Sequence, residues 1–321
     1  MPKFVVTGGA GFIGSALVRS LLELGSGEVE IVDNLLTGHE RNLEEIRAPV
    51  RLHRVDIRDS DALGPILRGA DTVFHLAAIP SVPRSMDEPR LSHEINIDGT
   101  FNVMRAAAEG GARRLIYAAS SAAYGDSETL PKVETMLPRP KSPYAVQKLV
   151  GEHYASVFHS CFGLETVSLR FFNVYGPRQD PSSPYSGVLS LFMKHVLERS
   201  APTIFGDGEQ SRDFTYVEDV AALCIKAAGA SSSVAGKMYN AGNGGRYTLN
   251  RIWSLLRKME GVEIAPKFGP PREGDVRHSV ADTRAVVAEL GHAPRFTIEE
   301  GLRKTLEWYR TAHVPATRGA A

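Results

Sequence analysis

The sequence of 321 residues predicts an α/β protein, in which a doubly wound parallel sheet is followed by a smaller lobe of mixed α/β structure. Three observations predict it. Short β-rich segments alternate with longer segments of helical apolar spacing in the first half of the chain, a glycine-rich loop follows the first of them, and the pattern changes after Asn173. Strands that alternate with helices form βαβ units, and such sheets bind ligands at the carboxyl ends of their strands.

Six β-rich segments are predicted to be strands of this sheet, at residues 4–7, 29–32, 51–55, 72–76, 115–118 and 166–169. Helical spacing between them is clearest from Phe12 to Leu24 and from Ile95 to Ala107. Beyond Asn173, prolines and glycines punctuate the chain, and helices are predicted at 188–197, 217–228, 250–258 and 298–309. We therefore expect a first domain at 1–172, to which a segment at about 215–245 returns, and a second lobe made mainly of 173–321.

The composition excludes several functional classes. Lys and Arg total 37, Asp and Glu total 37, and the isoelectric point is near 7.2, so we expect neither a nucleic-acid partner nor binding to an anionic membrane. Cys161 and Cys224 are too few for a disulfide framework or a four-ligand zinc site, and no metal site is predicted. Because no apolar run reaches the roughly 18 residues of a membrane span and no signal peptide fits the start, we expect a soluble, cytoplasmic protein.

The glycine-rich loop stands between the first strand and the first helix and reads Thr7-Gly8-Gly9-Ala10-Gly11-Phe12-Ile13-Gly14. Glycines at 8, 11 and 14 permit a tight turn, a close approach of the backbone to a pyrophosphate, and close packing of helix against strand. The unpaired N–H groups at the start of a helix favour phosphate. This arrangement predicts a Rossmann-type dinucleotide site.

Two carboxylates follow the next two strands. Asp33 ends the second strand, roughly 20 residues after Gly14. A carboxylate there accepts hydrogen bonds from both hydroxyls of the adenosine ribose and repels a 2′-phosphate, which favours NAD over NADP. Asp56, followed by Ile57, ends the third strand and is expected to contact the amino group of the adenine. The alternative for Asp56 is a solvated turn carboxylate.

Tyr144 and Lys148 are four residues apart, and therefore lie on one face of a helix that Ser142 is suited to cap and Pro143 to begin. A phenol has an unperturbed pKa near 10. A nearby ammonium group and a positive nicotinamide ring favour the phenolate, so they lower that pKa and make the tyrosine a better base at neutral pH. The alternative is an ordinary surface pair on an amphipathic helix.

The glycine loop and the segments after it resemble the extended short-chain dehydrogenase/reductase family, and the resemblance covers nearly the whole chain. It implies an enzyme that turns over nucleotide sugars on a tightly held NAD, with Tyr144 as the base. The segment after His75 resembles the family's strand end that lines the cofactor, while His75 itself is assigned no chemistry, and Asn96 resembles a helix asparagine that braces the active site. The predicted cofactor contacts are Gly8, Gly11, Phe12, Ile13, Gly14, Asp33, Asn34, Asp56, Ile57, Leu76, Ala77, Ala78, Asn96, Tyr144 and Lys148.

The resemblance also implies a hydroxyl that bonds the reacting sugar oxygen. Ser120 occupies that position, with Ser121 as the second choice, and the alternative is two serines that satisfy a strand-to-loop turn. In the family's dehydratases an Asp-Glu pair follows this hydroxyl, and the decarboxylases carry a Glu nearby, whereas this chain has Ser121 and Ala122. Without such an acid, we expect a 4-keto intermediate to take the hydride back on its opposite face, which is 4-epimerisation.

For the substrate, the resemblance implies contacts from Ser81, Ser120, Asn173, Arg212, Arg272, Asp275 and Ser279. Asn173 and the two arginines correspond to contacts with the sugar diphosphate and Asp275 to one with the uridine ribose, although surface ion pairs are the alternative for the arginines. Ser279 is a small residue at a wall position, which leaves room for an N-acetyl group. The segments at 81–85, 179–181 and 277–279 are similar to those of UDP-N-acetylglucosamine 4-epimerases, so we expect UDP-GlcNAc and UDP-GalNAc to be interconverted, with UDP-glucose and UDP-galactose as a second pair.

Two alternatives stay open at this point. One is another nucleotide-sugar oxidoreductase, such as a dehydratase or a decarboxylase. The other is a redox-silent NAD-binding protein, which would not need Tyr144, Lys148 and Ser120 together. The resemblance further implies a homodimer formed through a four-helix bundle, with helices near 92–109 and 144–162 contributed by each subunit.

Overall fold

The computed structural model describes residues 1–25, 27–180, 187–271 and 276–313. Its strands are β1 Lys3–Thr7, β2 Glu28–Val32, β3 Arg51–His53, β4 Thr72–His75, β5 Arg114–Ser120, β6 Glu165–Phe171, β7 Asn173–Tyr175, β8 Thr203–Phe205, β9 Ser211–Arg212, β10 Phe214–Tyr216, β11 Lys237–Ala241, β12 Tyr247–Thr248, β13 Lys267–Gly269 and β14 His278–Ser279. Its α-helices are α1 Phe12–Glu23, α2 Ser60–Leu67, α3 Val82–Asp87, α4 Pro89–His93, α5 Thr100–Glu109, α6 Pro143–Phe162, α7 Val188–Leu197, α8 Val217–Gly229, α9 Leu249–Glu260, α10 Arg284–Leu290 and α11 Ile298–His313.

Seven parallel strands form the central sheet, in the order β11-β6-β5-β4-β1-β2-β3. All six strands predicted from the β-rich segments are in it, which confirms the Rossmann-type α/β class. The seventh, β11, pairs with β6 at one edge and comes from the segment expected to return to the first domain. The strand order reverses at β1, and a crevice forms beyond the carboxyl ends of β1 and β4, where such sheets bind ligands.

Helices cover both faces of this sheet. On one face Leu17 of α1 and Leu223 of α8 share a buried cluster with Ile31 of β2. On the other face Leu63 of α2 and Met104 of α5 belong to a second buried cluster. These are the apolar stripes that the helical spacing predicts, and they confirm the doubly wound arrangement. No helix among the described residues is long and apolar enough to cross a membrane.

The smaller lobe consists of short strands and three longer helices. The strands form three small sheets, β7 with β10, β12-β9-β14, and β13 with β8. Helices α7, α9 and α11 enclose its core, in which Phe192, Trp253 and Leu302 are buried. The four helices predicted beyond Asn173 are all confirmed, whereas strands of only two or three residues were not predicted.

The helix predicted from Ile95 to Ala107 is not a single α-helix. A π-helical turn at Glu94–Gly99 connects α4 to α5. A π turn holds one residue more than an α turn, so it rotates the side chains that follow around the helix axis. Apolar spacing does not reveal such an insertion, because Ile95 within it and Val103 after it are both still buried.

Candidate active site

A pocket lies at the carboxyl ends of the central strands, where the strand order reverses. The segment after β6 bounds it with Phe172, Val174 and Gln179. Predicted site residues that line it are Gly8, Gly11, Phe12, Ile13, Gly14, Asp33, Asn34, Asp56, Ile57, Leu76, Ala77, Ala78, Ser81, Ser120, Tyr144 and Lys148. Predicted residues that do not line it are Asn96, Ser121, Asn173, Arg212 and Ser279. Arg272 and Asp275 lie outside the described residues.

The glycine loop makes a cradle that side chains would fill. Gly8 has φ +73°, and a Cβ there would lie 2.7 Å from the backbone nitrogen of Ala77. A Cβ on Gly14 would lie only 2.0 Å from the carbonyl oxygen of Gly8, because α1 begins directly against the end of β1. Gly11 precedes α1 and gives it no side-chain cap, so the first N–H groups of the helix meet the pocket that Phe12 and Gly14 line. This geometry fits the pyrophosphate of a dinucleotide.

Asp33 is held by the backbone at the far end of the cradle. Its Oδ2 accepts a hydrogen bond from the N–H of Ala10 at 2.9 Å, and its Oδ1 accepts one from the N–H of Leu35 at 2.8 Å. Burial raises the pKa of this carboxyl, and the two N–H groups oppose that rise. The carboxylate is therefore fixed in orientation, as recognition of two ribose hydroxyls requires.

Asp56 lies beside Asp33 in the same pocket but is engaged by side chains. It pairs with Arg58 at 2.8 Å and accepts a hydrogen bond from Nδ2 of Asn34 at 2.8 Å. The hydrogen bond from Arg58 is the main reason that its pKa falls to about 2. The carboxylate is thus ionised and tied to its neighbours while it lines the pocket, and its contact with adenine stays a prediction.

The helix that carries Tyr144 starts as predicted. Pro143 is its first residue, and Oγ of Ser142 accepts a hydrogen bond from the N–H of Ala145 at 3.2 Å. The N–H of Tyr144, which cannot bond within the helix, donates instead to Oγ of Ser85 at 3.1 Å. The sequence analysis did not identify Ser85, since only the fold brings α3 against the start of α6.

Lys148 is buried and is oriented by the fifth strand. Its Nζ donates a hydrogen bond to the carbonyl oxygen of Ala118 at 2.9 Å and lies 5.1 Å from the centroid of the Tyr117 ring. A Cβ on Gly151 would lie 2.1 Å from the hydroxyl of Tyr117, so the glycine lets α6 approach β5 closely. Lys148 is thus held between α6 and β5 at the wall of the pocket.

The pKa values of these two groups differ from the expectation. Burial raises the pKa of Tyr144, although its hydrogen bond with Ser120 lowers it in part. Burial lowers the pKa of Lys148 to about 8, and the charge of Glu152 opposes that fall. The low phenol pKa predicted from the spacing is therefore not produced by the protein side chains alone, because the loss of hydration outweighs them.

Ser120 and Ser121 have different surroundings. Ser120 ends β5, lines the pocket and accepts a hydrogen bond on Oγ from the N–H of Ala122 at 3.2 Å. Ser120 therefore pairs a backbone N–H group of the turn that follows and also forms a hydrogen bond with Tyr144. Ser121 begins the short 3-10 helix after it and does not line the pocket. The geometry favours Ser120.

Asn96 braces the site from the π turn. Its Oδ1 accepts a hydrogen bond from the N–H of Ile79 at 2.8 Å, and its Nδ2 donates to Oε1 of Gln147 at 2.8 Å. Oγ of Ser92 donates to the same oxygen of Gln147 at 2.7 Å. The segment after β4 is thereby tied to α6, between Tyr144 and Lys148, although Asn96 itself does not touch the pocket.

His75, to which the sequence analysis assigns no chemistry, is a buried packing residue. Its Nδ1 lies 2.8 Å from Oγ1 of Thr7 and its Nε2 lies 3.0 Å from Oγ1 of Thr100. Burial is the main cause that lowers its pKa to about 3, so the ring is neutral at pH 7. It joins β1 and β4 to α5 behind the cradle.

The predicted residues of the second lobe that the structure describes, Asn173, Arg212 and Ser279, lie around a buried aspartate. The N–H and Nδ2 of Asn173 both donate to the carbonyl oxygen of Asp213, at 3.0 and 3.3 Å. Arg212 precedes Asp213 and pairs in register with Ser279 between β9 and β14. The Asp213 carboxylate accepts N–H bonds from Asn243, Gly244 and Ala281 at 2.8 to 3.1 Å. This residue was missed, because its partners lie far away along the chain.

An ionic contact joins the two lobes at the mouth of the pocket. Gln179 and Asp180 line the pocket, and Oδ2 of Asp180 lies 3.3 Å from both Nε2 of His39 and Nη2 of Arg41. At the other wall Ser81 caps α3 by accepting a hydrogen bond from the N–H of Arg84 at 3.1 Å. The pocket is therefore bounded by charged and hydroxyl groups from both lobes.

Comparison with known proteins places this site in context. The model of the NAD dependent epimerase/dehydratase family matches residues 4–242. A Mycolicibacterium smegmatis protein named UDP-glucose 4-epimerase is 35% identical over 312 residues, which cover 96% of this chain and 98% of the relative. The structure of UDP-N-acetylglucosamine 4-epimerase from Methanobrevibacter ruminantium, in complex with UDP-N-acetylmuramic acid, is 38% identical with a TM-score of 0.92 and covers 97% of this chain and 98% of that one. The structure of UDP-glucose 4-epimerase from Thermus thermophilus, in complex with NAD, is 37% identical with a TM-score of 0.87 and covers 97% of this chain and 99% of that one.

Proposed function

The chain belongs to the NAD dependent epimerase/dehydratase family, and on that premise we propose that it is a 4-epimerase of UDP-hexoses. It interconverts UDP-GlcNAc and UDP-GalNAc, with UDP-glucose and UDP-galactose as a second pair, through a transient 4-keto sugar. The epimerases among its relatives support this assignment.

One observation carries the proposal, namely the absence of a carboxylate beside Tyr144 and Ser120 among the described residues that line the pocket. The lining carboxylates are Asp33, Asp56 and Asp180. All three lie on the β2–β3 side of the pocket, since two follow those strands and the third contacts the segment after β2. A dehydratase needs an acid to expel water. The methyl group of Ala122, in the segment after Ser120, cannot provide one.

NAD is the cofactor of this family, and when bound it supplies the group that accepts a hydride from C4 and returns it. We assign Gly8, Gly11 and Gly14 to its pyrophosphate, because their backbone forms the cradle at the start of α1. Asp33 holds the adenosine ribose, and Lys148 holds the nicotinamide ribose.

Tyr144 takes the proton of the sugar 4-hydroxyl and later gives it back to the C4 oxygen, after the keto sugar has turned its other face toward the cofactor. Its hydrogen bond with Ser120 favours the phenolate, and Ser120 also positions the reacting oxygen. Lys148 adds positive charge from the same face of α6. The keto sugar has to rotate between the removal of the hydride from C4 and its return. We therefore assign the tight contacts to the uridine diphosphate and expect the sugar to be held loosely.

The substrate contacts assigned to the second lobe are consistent with a tightly bound diphosphate and a loosely held sugar. Arg212 offers a fixed fork of donors to a diphosphate, and Asn173 is oriented beside it by Asp213. Ser279, which pairs in register with Arg212, is assigned to the wall of the sugar site, where its small side chain leaves room for an N-acetyl group. Discrimination by the size of such a wall residue is worth only about 1–3 kcal/mol, which is why both sugar pairs are proposed.

The test is to incubate the purified protein with UDP-GlcNAc, UDP-glucose or UDP-glucuronate and to follow the anomeric proton signals over time. We expect the GalNAc and galactose signals to grow toward equilibrium without added NAD. Ser279→Tyr should reduce turnover of UDP-GlcNAc more than that of UDP-glucose. Release of a 4-keto-6-deoxy sugar or of carbon dioxide would instead identify a dehydratase or a decarboxylase and would refute the proposal.

We also propose that the protein is a homodimer that packs α5 and α6 of each subunit into a four-helix bundle. Val146, Val157 and Phe162 are exposed apolar residues on α6, although α6 buries its other side against β5 and β6. Light scattering should give twice the chain mass of 34.9 kDa. Val157→Asp should yield a monomer, whereas Val287→Asp, at an equally exposed valine of α10, should not.

A further inference from the structure

A buried ion pair lies behind the pocket and has no part in the chemistry assigned above. Glu152 lies on α6, one turn after Lys148 and two turns after Tyr144, so the three side chains share one side of the helix. Its Oε1 and Oε2 accept hydrogen bonds from Nε and Nη2 of Arg170, at 2.8 and 2.7 Å. The side chains are only 8% and 3% exposed. This bidentate geometry fixes both groups in direction as well as distance.

Arg170 connects Glu152 to the segment that carries Ser120. It lies on β6 in register with Ala119 of β5, the residue before Ser120. Its guanidinium carbon is 4.5 Å from the centroid of the Tyr124 ring, which belongs to the short helix after Ser120. The hydroxyl of Tyr124 donates in turn to Oδ1 of Asn240 at 2.6 Å. One ion pair thus connects α6, which holds Tyr144 and Lys148, to β5 and the short helix on either side of Ser120.

Among the titratable groups that face Lys148, Glu152 is the one whose charge favours the ammonium form. The ring of Tyr117 lies 5.1 Å from Nζ, and His75 also faces it from β4. Burial raises the pKa of Tyr117 well above its usual value and lowers the pKa of His75 to about 3, so both are neutral at pH 7. Burial likewise raises the pKa of Tyr144. Glu152 is the group whose charge favours the ammonium form of Lys148, against burial, which lowers its pKa to about 8.

We propose that Glu152 is a positioning residue, whose carboxylate fixes Arg170 beneath the Ser120 segment and whose negative charge keeps Lys148 in its ammonium form. The proposal rests on the function assigned to Lys148 above. Without Glu152, Lys148 loses its proton at a lower pH. Its positive charge beside Tyr144 is then lost, although the neutral amine still donates a hydrogen bond to the carbonyl oxygen of Ala118.

The direct test measures the protonation of Lys148 in Glu152→Gln. The ¹⁵N chemical shift of Lys148 Nζ, assigned with Lys148→Arg, is followed against pH in the full chain loaded with NAD. We expect the midpoint to fall by about one pH unit in Glu152→Gln. The alkaline limb of the kcat profile should move by the same amount, so that kcat at pH 8 falls about five-fold while KM for the UDP-sugar changes less than about two-fold.

A matched control is available at the other end of the sheet. Glu165 and Arg114 form another ion pair between β5 and β6, at the opposite ends of the strands, with Nη2 and Oε2 2.6 Å apart. Glu165→Gln removes the same charge at the same kind of partner, far from the pocket. Its Lys148 midpoint and its pH profile should coincide with those of the wild type.

If Glu152→Gln does not fold, as judged by near-ultraviolet circular dichroism, Glu152→Met combined with Arg170→Met removes both buried charges and keeps the volume. Because the positive charge of Arg170 is removed as well, the reference for this double variant is Arg170→Met, and its Lys148 midpoint is expected to lie below that of Arg170→Met. A midpoint equal to that of the reference, the wild type for Glu152→Gln or Arg170→Met for the double variant, overturns the proposal. The midpoint is read without turnover, so a shifted midpoint in a protein that epimerises no sugar refutes the proposed function and leaves the role of Glu152 standing.

Discussion

Two Arg–Glu pairs lie at opposite ends of the central sheet, one between β5 and β6 and the other between β6 and α6, and they do different work. At the amino ends, Arg114 donates from Nε and Nη2 to one oxygen of Glu165, at 3.0 and 2.6 Å. Its Nη1 also donates to the carbonyl oxygens of Ala227 and Ala230, at 2.8 and 2.6 Å, where α8 ends. At the carboxyl ends, Arg170 holds Glu152 and supports the Ser120 segment. The same residue types thus cap a helix at one edge and support the pocket at the other.

This difference follows from the direction of the strands. In a parallel sheet all carboxyl ends meet at one edge, and that edge alone faces the crevice where ligands bind. A buried ion pair there is coupled to whatever the pocket does. At the other edge the same pair acts on stability alone, through the terminal carbonyl groups of a helix. The predictions below test how far this separation of the two edges holds.

The largest effect is expected at the carboxyl edge itself, from Tyr144→Phe. Loss of the phenol removes the group that exchanges the proton, so kcat should fall by about a thousand-fold or more. NAD should stay bound, because the glycine cradle and Asp33 are unchanged. Turnover is measured by the anomeric proton signals and bound NAD by its absorbance after denaturation. Retained turnover would remove Tyr144 from its role.

At the amino ends of the strands, Arg114→Met should reduce the stability of the fold and leave catalysis intact. The variant leaves Glu165 with the longer contact to Arg113, at 3.4 Å, and removes the buried donor from the last carbonyl groups of α8. We expect the free energy of unfolding to fall by about 3 kcal/mol in urea. Values of kcat and KM per folded molecule should stay within about two-fold of the wild type. A larger change in either would show that the two edges are coupled.

The pH dependence of stability offers a third test, because His75 ends β4 at the carboxyl edge. Its pKa is about 3 in the folded protein, against about 6.5 when unfolded, so the unfolded state binds the proton first. Stability from this residue is complete above about pH 6.5 and is lost as the pH falls toward 3. Between pH 7 and pH 5 the loss should be about 2 kcal/mol.

Urea unfolding of the wild type and of His75→Gln at both pH values isolates this contribution, since the other titrating groups are common to the two proteins. The wild type should lose about 2 kcal/mol more than the variant. Equal losses would mean that His75 is protonated in the folded state, in conflict with its burial between Thr7 and Thr100.

The smallest effect is expected at the mouth of the pocket, where the ion pairs are exposed. Asp180→Asn weakens the contact with His39 and Arg41 and should speed the release of NAD about two-fold, since exposed pairs contribute little. Stopped-flow fluorescence of NADH release measures it, and the effect should shrink in high salt. Asp126→Asn is the control, because it breaks an exposed pair with Lys141 elsewhere. If release accelerates more than ten-fold, the lobes depend on this contact more than its exposure indicates.

The parts of the pocket that sequence predicts well are those built from local pattern. The glycine cradle, Asp33 and Ser120 each follow a strand, so the alternation of strands and helices already brings them to one edge. Tyr144 and Lys148 are predicted by helical spacing and a capping serine, and both line the pocket. The pKa of Tyr144 was not predictable in this way, because spacing gives no information about burial.

The missed residues are those whose partners are distant in sequence. Glu152 of α6 pairs with Arg170 of β6, and Gln147 of α6 accepts a hydrogen bond from Asn96 of the π turn. Asp213 collects N–H groups from two later loops, one of them at Ala281. No periodicity links such segments. Their side chains become neighbours only after the sheet order is known.

The π turn at Glu94–Gly99 makes this stretch intolerant of changes in length. On one side of its extra residue Asn96 bonds Ile79, and on the other Thr100 bonds His75. Deleting one residue would allow a regular α-helix but would rotate everything downstream by about 100° about the axis. Thr100 would then swing away from His75. Library construction or tag insertion should therefore spare residues 94–100, however ordinary they look in an alignment.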